Sequence, residues 1–254
     1  MNKRILLALL LVLLLCGCQA MEPIISWTDA ETTSAVLSSD PTEAVPTIWE
    51  TEPEASVVTA PAETQLQDTE PPEPAPEDFV LVTDYIPDLI VELKYASEDN
   101  FTGTVIYDFQ EAYLRYGTVC KLMLVQQELR SMGLSMKLWD GFRPPKAQYR
   151  LWQICPDPVY VSDPNKGFSN HSRGDTVDIT LVDSQGRELE MPTGFDDFSD
   201  LADRDYSDCS VTAAANALLL QQLMEKYGFT GYRGEWWHYS DDDYYPVEME
   251  FLGG

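Results

Sequence analysis

Downstream of residue 78, apolar and polar positions alternate in short runs, interrupted by two longer stretches of helical spacing. Phe79-Val80-Leu81-Val82 and Ile90-Val91-Glu92-Leu93-Lys94-Tyr95 read as strands on either side of a turn at Pro87. Asn100-Phe101-Thr102-Gly103 is a loop by composition. From Thr118 to Met132, Leu122, Val125, Leu129 and Met132 recur every three or four residues, which predicts a helix that Gly133 stops. Leu134 to Trp139 alternates as a strand and runs into Asp140-Gly141-Phe142-Arg143-Pro144-Pro145, where proline at a first helical position suits a helix over 146–154. After an irregular loop over 157–170, Thr176 to Val182 alternates, with Val177, Ile179 and Leu181 on one face and Asp178 and Thr180 on the other. A second helix starts near Asp208, a possible cap, and carries Ala213, Ala214, Ala217, Leu218, Leu220, Leu223 and Met224 to Gly228. An aromatic-rich strand is predicted over Tyr232 to Tyr239. Strands and helices mix without regular βαβ alternation, so the predicted class is α+β, a mostly antiparallel central sheet flanked by helices.

The first 78 residues follow a different pattern. Lys3 and Arg4 precede an apolar run from Ile5 to Leu15 and then Cys16-Gly17-Cys18, the layout of an export signal rather than a membrane span. Leu15-Cys16-Gly17-Cys18 resembles a bacterial lipobox, which predicts removal of residues 1–17 and a lipid on Cys18, tethering the chain to the outer face of the cell membrane. Ordinary secretion with a free Cys18 is the alternative. Residues 21–78 contain no Lys or Arg but 14 Asp or Glu and 9 of the 17 prolines, too little apolar surface to offset chain entropy. Residues 18–78 are therefore expected to be an extended spacer, and 79–254 the folded domain.

That domain carries 29 acidic residues against 14 basic ones, which argues against nucleic acid, whose phosphates call for Lys and Arg clusters. Cys120, Cys155 and Cys209 lack the close pairs of a structural zinc site. In an exported protein two of them could pair, and which two stays open.

Only two histidines occur in the whole chain, and each sits in a suggestive setting. Small polar residues and Gly174 between His171 and Asp178 allow a tight reversal that brings the two side chains together. Asp178 lies on the strand face opposite Val177 and Ile179, where a carboxylate needs a partner, and a divalent metal would be one. His238 follows Glu235-Trp236-Trp237, so a ligand and a carboxylate share an aromatic, partly dry setting. Three protein ligands with a water in the fourth position is the arrangement of catalytic zinc, and a neighbouring carboxylate can accept that water's proton. Arg143, set by two prolines, could stabilise an oxyanion, although on its own a structural pairing with Asp140 is the commoner role. Ser169, two residues before His171, is a candidate for hydrogen-bonding substrate. Trp139, Trp152, Trp236 and Trp237 are expected in the core or pocket wall.

In combination these segments resemble the D-alanyl-D-alanine dipeptidases, zinc peptidases of the vancomycin-resistance type within the wider D,D-peptidase and hedgehog-like fold. The matching stretches are Tyr95 to Gly103, Asp140 to Pro144, Ser169 to Asp178 and Glu235 to His238. The resemblance implies one zinc ion per domain on His171, Asp178 and His238, with Glu235 as acid/base and Arg143 stabilising the transition state. It implies a small D,D-dipeptide as substrate. The alternatives are a D,D- or L,D-carboxypeptidase trimming cell-wall stem peptides, and a catalytically silent zinc-binding lipoprotein. One departure is Thr176, where the family pattern usually carries alanine, and Asp175 is expected to add charge near the site.

Overall fold

A computed structural model describes residues 72–250; the leader, Cys18 and the spacer up to residue 71 lie outside the described residues. The packed region begins slightly upstream of Phe79. The Glu77 carbonyl accepts from Arg115 Nη1 at 2.7 Å, and the Asp78 and Pro76 carbonyls accept from the amides of Tyr116 and Gly117.

The first predicted strand is real but short. β1 (Phe79–Leu81) pairs antiparallel with β3 (Tyr113–Arg115) in a two-stranded sheet, and the chain turns at once into the four-residue helix α1 (Val82–Tyr85). The second shrinks to β2 (Ile90–Val91), because Lys94–Ala96 closes into a 3₁₀ turn that buries Tyr95. β2 lies in the main five-stranded sheet, of order β2, β4 (Leu134–Asp140), β5 (Thr176–Asp183), β7 (His238–Asp241), β6 (Phe229–Gly231).

This sheet is mixed, which corrects the expectation of a mostly antiparallel one. β2 runs parallel to β4, while the β4–β5, β5–β7 and β6–β7 pairings are antiparallel. The physical reason is the connection. Between β2 and β4 the chain crosses through β3 and the sixteen-residue helix α2 (Tyr116–Ser131), and such a crossover returns it in the same direction.

Helix α2 buries Leu122, Val125 and Leu129 as the spacing predicted, and Gly133 ends the turn at φ +74°. Met132 stays half exposed at its cap. Helix α3 (Pro145–Ile154) carries its proline at the first position. Helix α4 (Val211–Lys226) is capped by Ser210 and not by Asp208: the Ser210 hydroxyl accepts the Ala213 amide at 3.0 Å. Helices α2 and α4 touch each other and pack on β4, β5 and β6.

Strand β5 is buried along almost its whole length on both faces, so its alternation separates two kinds of buried surface, not core from solvent. The predicted strand over Tyr232 to Tyr239 is instead a hairpin loop. β6 and β7 pair Gly231 with Tyr239, and residues 232–237 reverse the chain between them. Trp236 and Trp237 are both fully buried, which adjacent residues achieve readily in a turn packed from both sides. Cys120, Cys155 and Cys209 are all free, so none of the pairings the sequence left open forms.

Candidate metal centre

The centre is built by strand register. β5 places Asp178 directly opposite His238 on β7, and opposite Asp140 on β4. The row depends on an irregularity: between Leu138 and Asp140, β4 advances two residues while β5 advances one, the signature of a bulge at Trp139. Without it Asp140 would point to the wrong face.

His171 enters from the 3₁₀ turn Asn170–Arg173 that precedes β5. Gly174 makes the reversal at φ +78°, and a Cβ there would come within 2.4 Å of the Phe79 ring, so both the backbone and the packing call for glycine. The His171 carbonyl accepts the Arg143 amide at 3.2 Å, and His171 Nδ1 lies 2.9 Å from the Gly141 carbonyl. That contact makes Nδ1 the protonated nitrogen and leaves the Nε2 lone pair facing the centre.

His171, Asp178 and His238 thus meet. Among the described residues they form a group whose donor atoms all lie within 4.8 Å of one another. Asp178 Oδ1 is 3.0 Å from His238 Nδ1, Asp178 Oδ2 is 3.3 Å from His171 Nε2, and the two ring nitrogens are 3.3 Å apart. Burial alone would raise the Asp178 pKa, but the two imidazoles hold it well below the usual carboxylate range. His171, buried at 1% exposure, would lose its charge to desolvation, yet Asp178 and then Asp140 outweigh this and raise its pKa.

Glu235 sits in the loop before β7, its Oε2 3.6 Å from His238 Nδ1. Burial, reinforced by Asp178 and Asp196, pushes its carboxyl up to about 7, against a partial offset from the His238 charge. Arg143 makes the pairing with Asp140 and also borders the cavity. Its Nε and Nη2 donate to Asp140 Oδ2 at 3.1 and 2.6 Å and its Nη1 to Gln148 Oε1 at 3.1 Å. Asp140 in turn accepts from Tyr107 Oη at 2.6 Å and from the Gly141 amide, so the guanidinium is anchored from behind. Ser169 caps the 3₁₀ turn by accepting the His171 amide at 3.4 Å and borders the same cavity.

One residue of the site was not read from the sequence. Asp196 lies on a loop at φ +52°, accepts from Tyr95 Oη at 2.7 Å and lines the cavity beside Glu235 and Tyr232. Burial drives its carboxyl up to about 7, despite the Tyr95 hydrogen bond. One aspartate among 43 acidic residues carries no local signal. Asp175 does not line the cavity, contrary to expectation. It is buried behind the strand, where Thr176 Oγ1 donates to it at 2.9 Å, which also gives the hydroxyl at position 176 a partner.

The residues present fit a divalent cation. Two imidazoles and a carboxylate offer nitrogen and oxygen donors suited to zinc. Asp140, Asp178, Asp196 and Glu235 are four carboxyl groups beside a single guanidinium, and a dication would favour the charged form of the two whose pKa is raised. The cavity measures about 270 Å³. Tyr95, Trp139, Phe195, Trp236 and Trp237 form a continuous aromatic wall behind it, with neighbouring ring centroids 5.5–6.2 Å apart.

Comparison with known proteins agrees on one family. The model of the D-ala-D-ala dipeptidases matches residues 76–252. A D-alanyl-D-alanine dipeptidase of Escherichia coli K12 is 41% identical over 153 residues, covering 60% of this chain and 79% of its own. One from Enterococcus faecalis V583 is 32% identical over 176 residues, covering 61% and 87%. One from Streptomyces coelicolor A3(2) is 33% identical over 184 residues, covering 64% and 91%.

Proposed function

Since the chain belongs to the D-ala-D-ala dipeptidase family, we propose that it hydrolyses D-alanyl-D-alanine, or a dipeptide closely similar to it, in a zinc-dependent reaction. The observation that carries this reading is the meeting of His171, Asp178, His238, Glu235 and Arg143 around one cavity.

His171, Asp178 and His238 would hold the ion. Zinc, when bound, supplies Lewis acidity and lowers the pKa of a water to about 7. Glu235 accepts the proton of the attacking water and returns it to the leaving amine, a task for which a carboxyl near neutrality is suited. Arg143, held rigid by Asp140 and Gln148, presents a fixed positive charge to the oxyanion that develops on the scissile carbonyl. Asp196 is the partner for the ammonium group of a zwitterionic dipeptide, and Ser169 hydrogen-bonds substrate. The fold proposed with this activity is the hedgehog-like one that the family resemblance implies.

The family match and the D-alanyl-D-alanine dipeptidases among its relatives favour a dipeptide over a stem peptide. Purified protein with added zinc should release D-alanine from the free dipeptide with a kcat/KM at least about tenfold above that for a wall pentapeptide. Preference for the pentapeptide would replace the dipeptidase reading with the carboxypeptidase one.

Zinc affinity should depend on pH in a defined sense. In the metal-free site Glu235 is about half protonated near pH 7, and His171 has a raised pKa. A cation disfavours both protonated forms, so zinc uptake at pH 7 should release protons, and apparent affinity should climb with pH until both groups are deprotonated. Calorimetric titration in buffers of different ionisation enthalpy measures the release. A proton count that is zero at pH 7 would contradict this reading.

The setting proposed for the reaction is the outer face of the bacterial membrane. The charged start, the apolar run Ile5 to Leu15 and the lipobox-like Leu15-Cys16-Gly17-Cys18 support it; with residues 1–17 removed and Cys18 lipidated, the acidic, proline-rich spacer would hold the domain clear of the surface. There the enzyme would act on D,D-dipeptide freed from the wall.

A further inference from the structure

Behind the loop that carries Glu235 and His238 lies a guanidinium that none of these roles uses. Arg204 follows the 3₁₀ turn Asp200–Ala202, more than twenty residues before Glu235 in sequence. Its side chain stacks on the Tyr239 ring at 4.4 Å and reaches into the back of the hairpin loop. Nε donates to the Tyr232 carbonyl at 2.8 Å. Nη2 donates to the carbonyls of Trp236 at 3.1 Å and His238 at 2.9 Å, and Nη1 to Tyr239 Oη at 3.1 Å. The backbone adds two links, Arg204 amide to Arg233 carbonyl and Trp236 amide to Ala202 carbonyl.

One cation therefore joins the two ends of the turn, Tyr232 and His238, to its middle at Trp236. A tight reversal aims several carbonyls at one point, and a planar fork of five N–H groups can satisfy them together, whereas an ammonium cannot match that spread. Gly231 leaves the room: a Cβ there would fall 2.2 Å from Arg204 Cζ, and the three nearest atoms it would meet all belong to this guanidinium.

We propose that Arg204 is a positioning residue of the metal site, fixing the Tyr232–His238 turn so that His238 Nδ1 faces Asp178 and the Glu235 carboxylate stays beside it. Arg204 touches no donor atom of the trio and does not line the cavity; its link to His238 is through the backbone carbonyl, so it acts through the backbone. The kinetic part of this inference rests on the dipeptidase reading; the metal-binding part does not.

The test uses Arg204→Ala, Arg204→Lys, Gly231→Ala and the Arg204→Ala/Gly231→Ala double variant of the full chain. Zinc affinity is measured by competition with a chromophoric chelator, and kcat and KM are measured on D-alanyl-D-alanine. Arg204→Ala and Gly231→Ala should each weaken zinc binding by about 10–100-fold, the range for partners that orient a ligand. Each should lower kcat with KM changed less than about threefold, and Arg204→Lys should recover only part of the loss. Because Gly231→Ala acts by expelling the guanidinium, it should cost nothing further in the Arg204→Ala background. Zinc affinity and kcat within twofold of the parent in folded single variants would overturn the proposal, as would additive losses in the double variant. Loss of the folded state in all the variants, seen by circular dichroism, would overturn it too, reassigning Arg204 to the stability of the whole domain. If the parent binds zinc without cleaving the dipeptide, the dipeptidase reading fails while the zinc affinities still decide the role of Arg204.

Discussion

Glu235→Gln should leave the zinc content at one ion per chain and cut kcat on D-alanyl-D-alanine by about 10²–10⁴-fold, the range for loss of a positioned acid/base. The two side chains have the same shape, so the loop, with its Tyr232 carbonyl accepting the Glu235 amide, has no reason to move. What disappears is a group able to take a proton and give it back. Burial pushes the Glu235 carboxyl up to about 7, where both protonation states are populated near neutral pH; an amide has no such equilibrium. Metal content by atomic absorption, alongside steady-state kinetics, separates this from a binding defect. Turnover equal to the parent's would remove Glu235 from the reaction.

Asp178→Asn has the other large expected effect, on the metal itself. Asp178 is the middle residue of the row across β4, β5 and β7 and the only charged donor of the trio. Its carboxylate faces both imidazoles, at 3.0 Å from His238 Nδ1 and 3.3 Å from His171 Nε2. An amide keeps the shape and one acceptor oxygen but loses the charge that draws in a dication. Zinc affinity should therefore fall by more than the roughly 10–100-fold typical of an outer hydrogen-bond partner, and turnover should fall with it at micromolar zinc. The fold should persist, because the neighbouring strands and the aromatic wall are unchanged. A folded variant that keeps one zinc per chain and the parental kcat would dismantle the assigned ligand set.

The contrast between what was legible and what was not runs along particular residues. His171, Asp178, Glu235 and His238 could be picked out because they stand in short segments with unusual neighbours: glycine and serine around one histidine, two tryptophans before the other. Arg143 was visible for the same reason, next to paired prolines. Helix α2 could be read because three of its apolar positions meet the core at helical spacing. The hairpin loop at 232–237 was misread because aromatic residues favour strands on average, and the reversal between Gly231 and Tyr239 is set by pairing with β5 and by Arg204 rather than by a local turn motif.

From sequence alone, the chain determines which donors are available, where β4, β5, α2 and α4 form, and that an acidic, proline-rich stretch precedes the domain, since each depends on neighbours within a few positions. Only the tertiary structure decided that β2 lies parallel to β4, that a bulge at Trp139 brings Asp140 into the row of Asp178 and His238, and that Asp196 and Arg204 flank Glu235 from front and back. Those outcomes depend on contacts between residues tens of positions apart. Such contacts form when buried surfaces and backbone hydrogen bonds are satisfied together, and no local pattern records them.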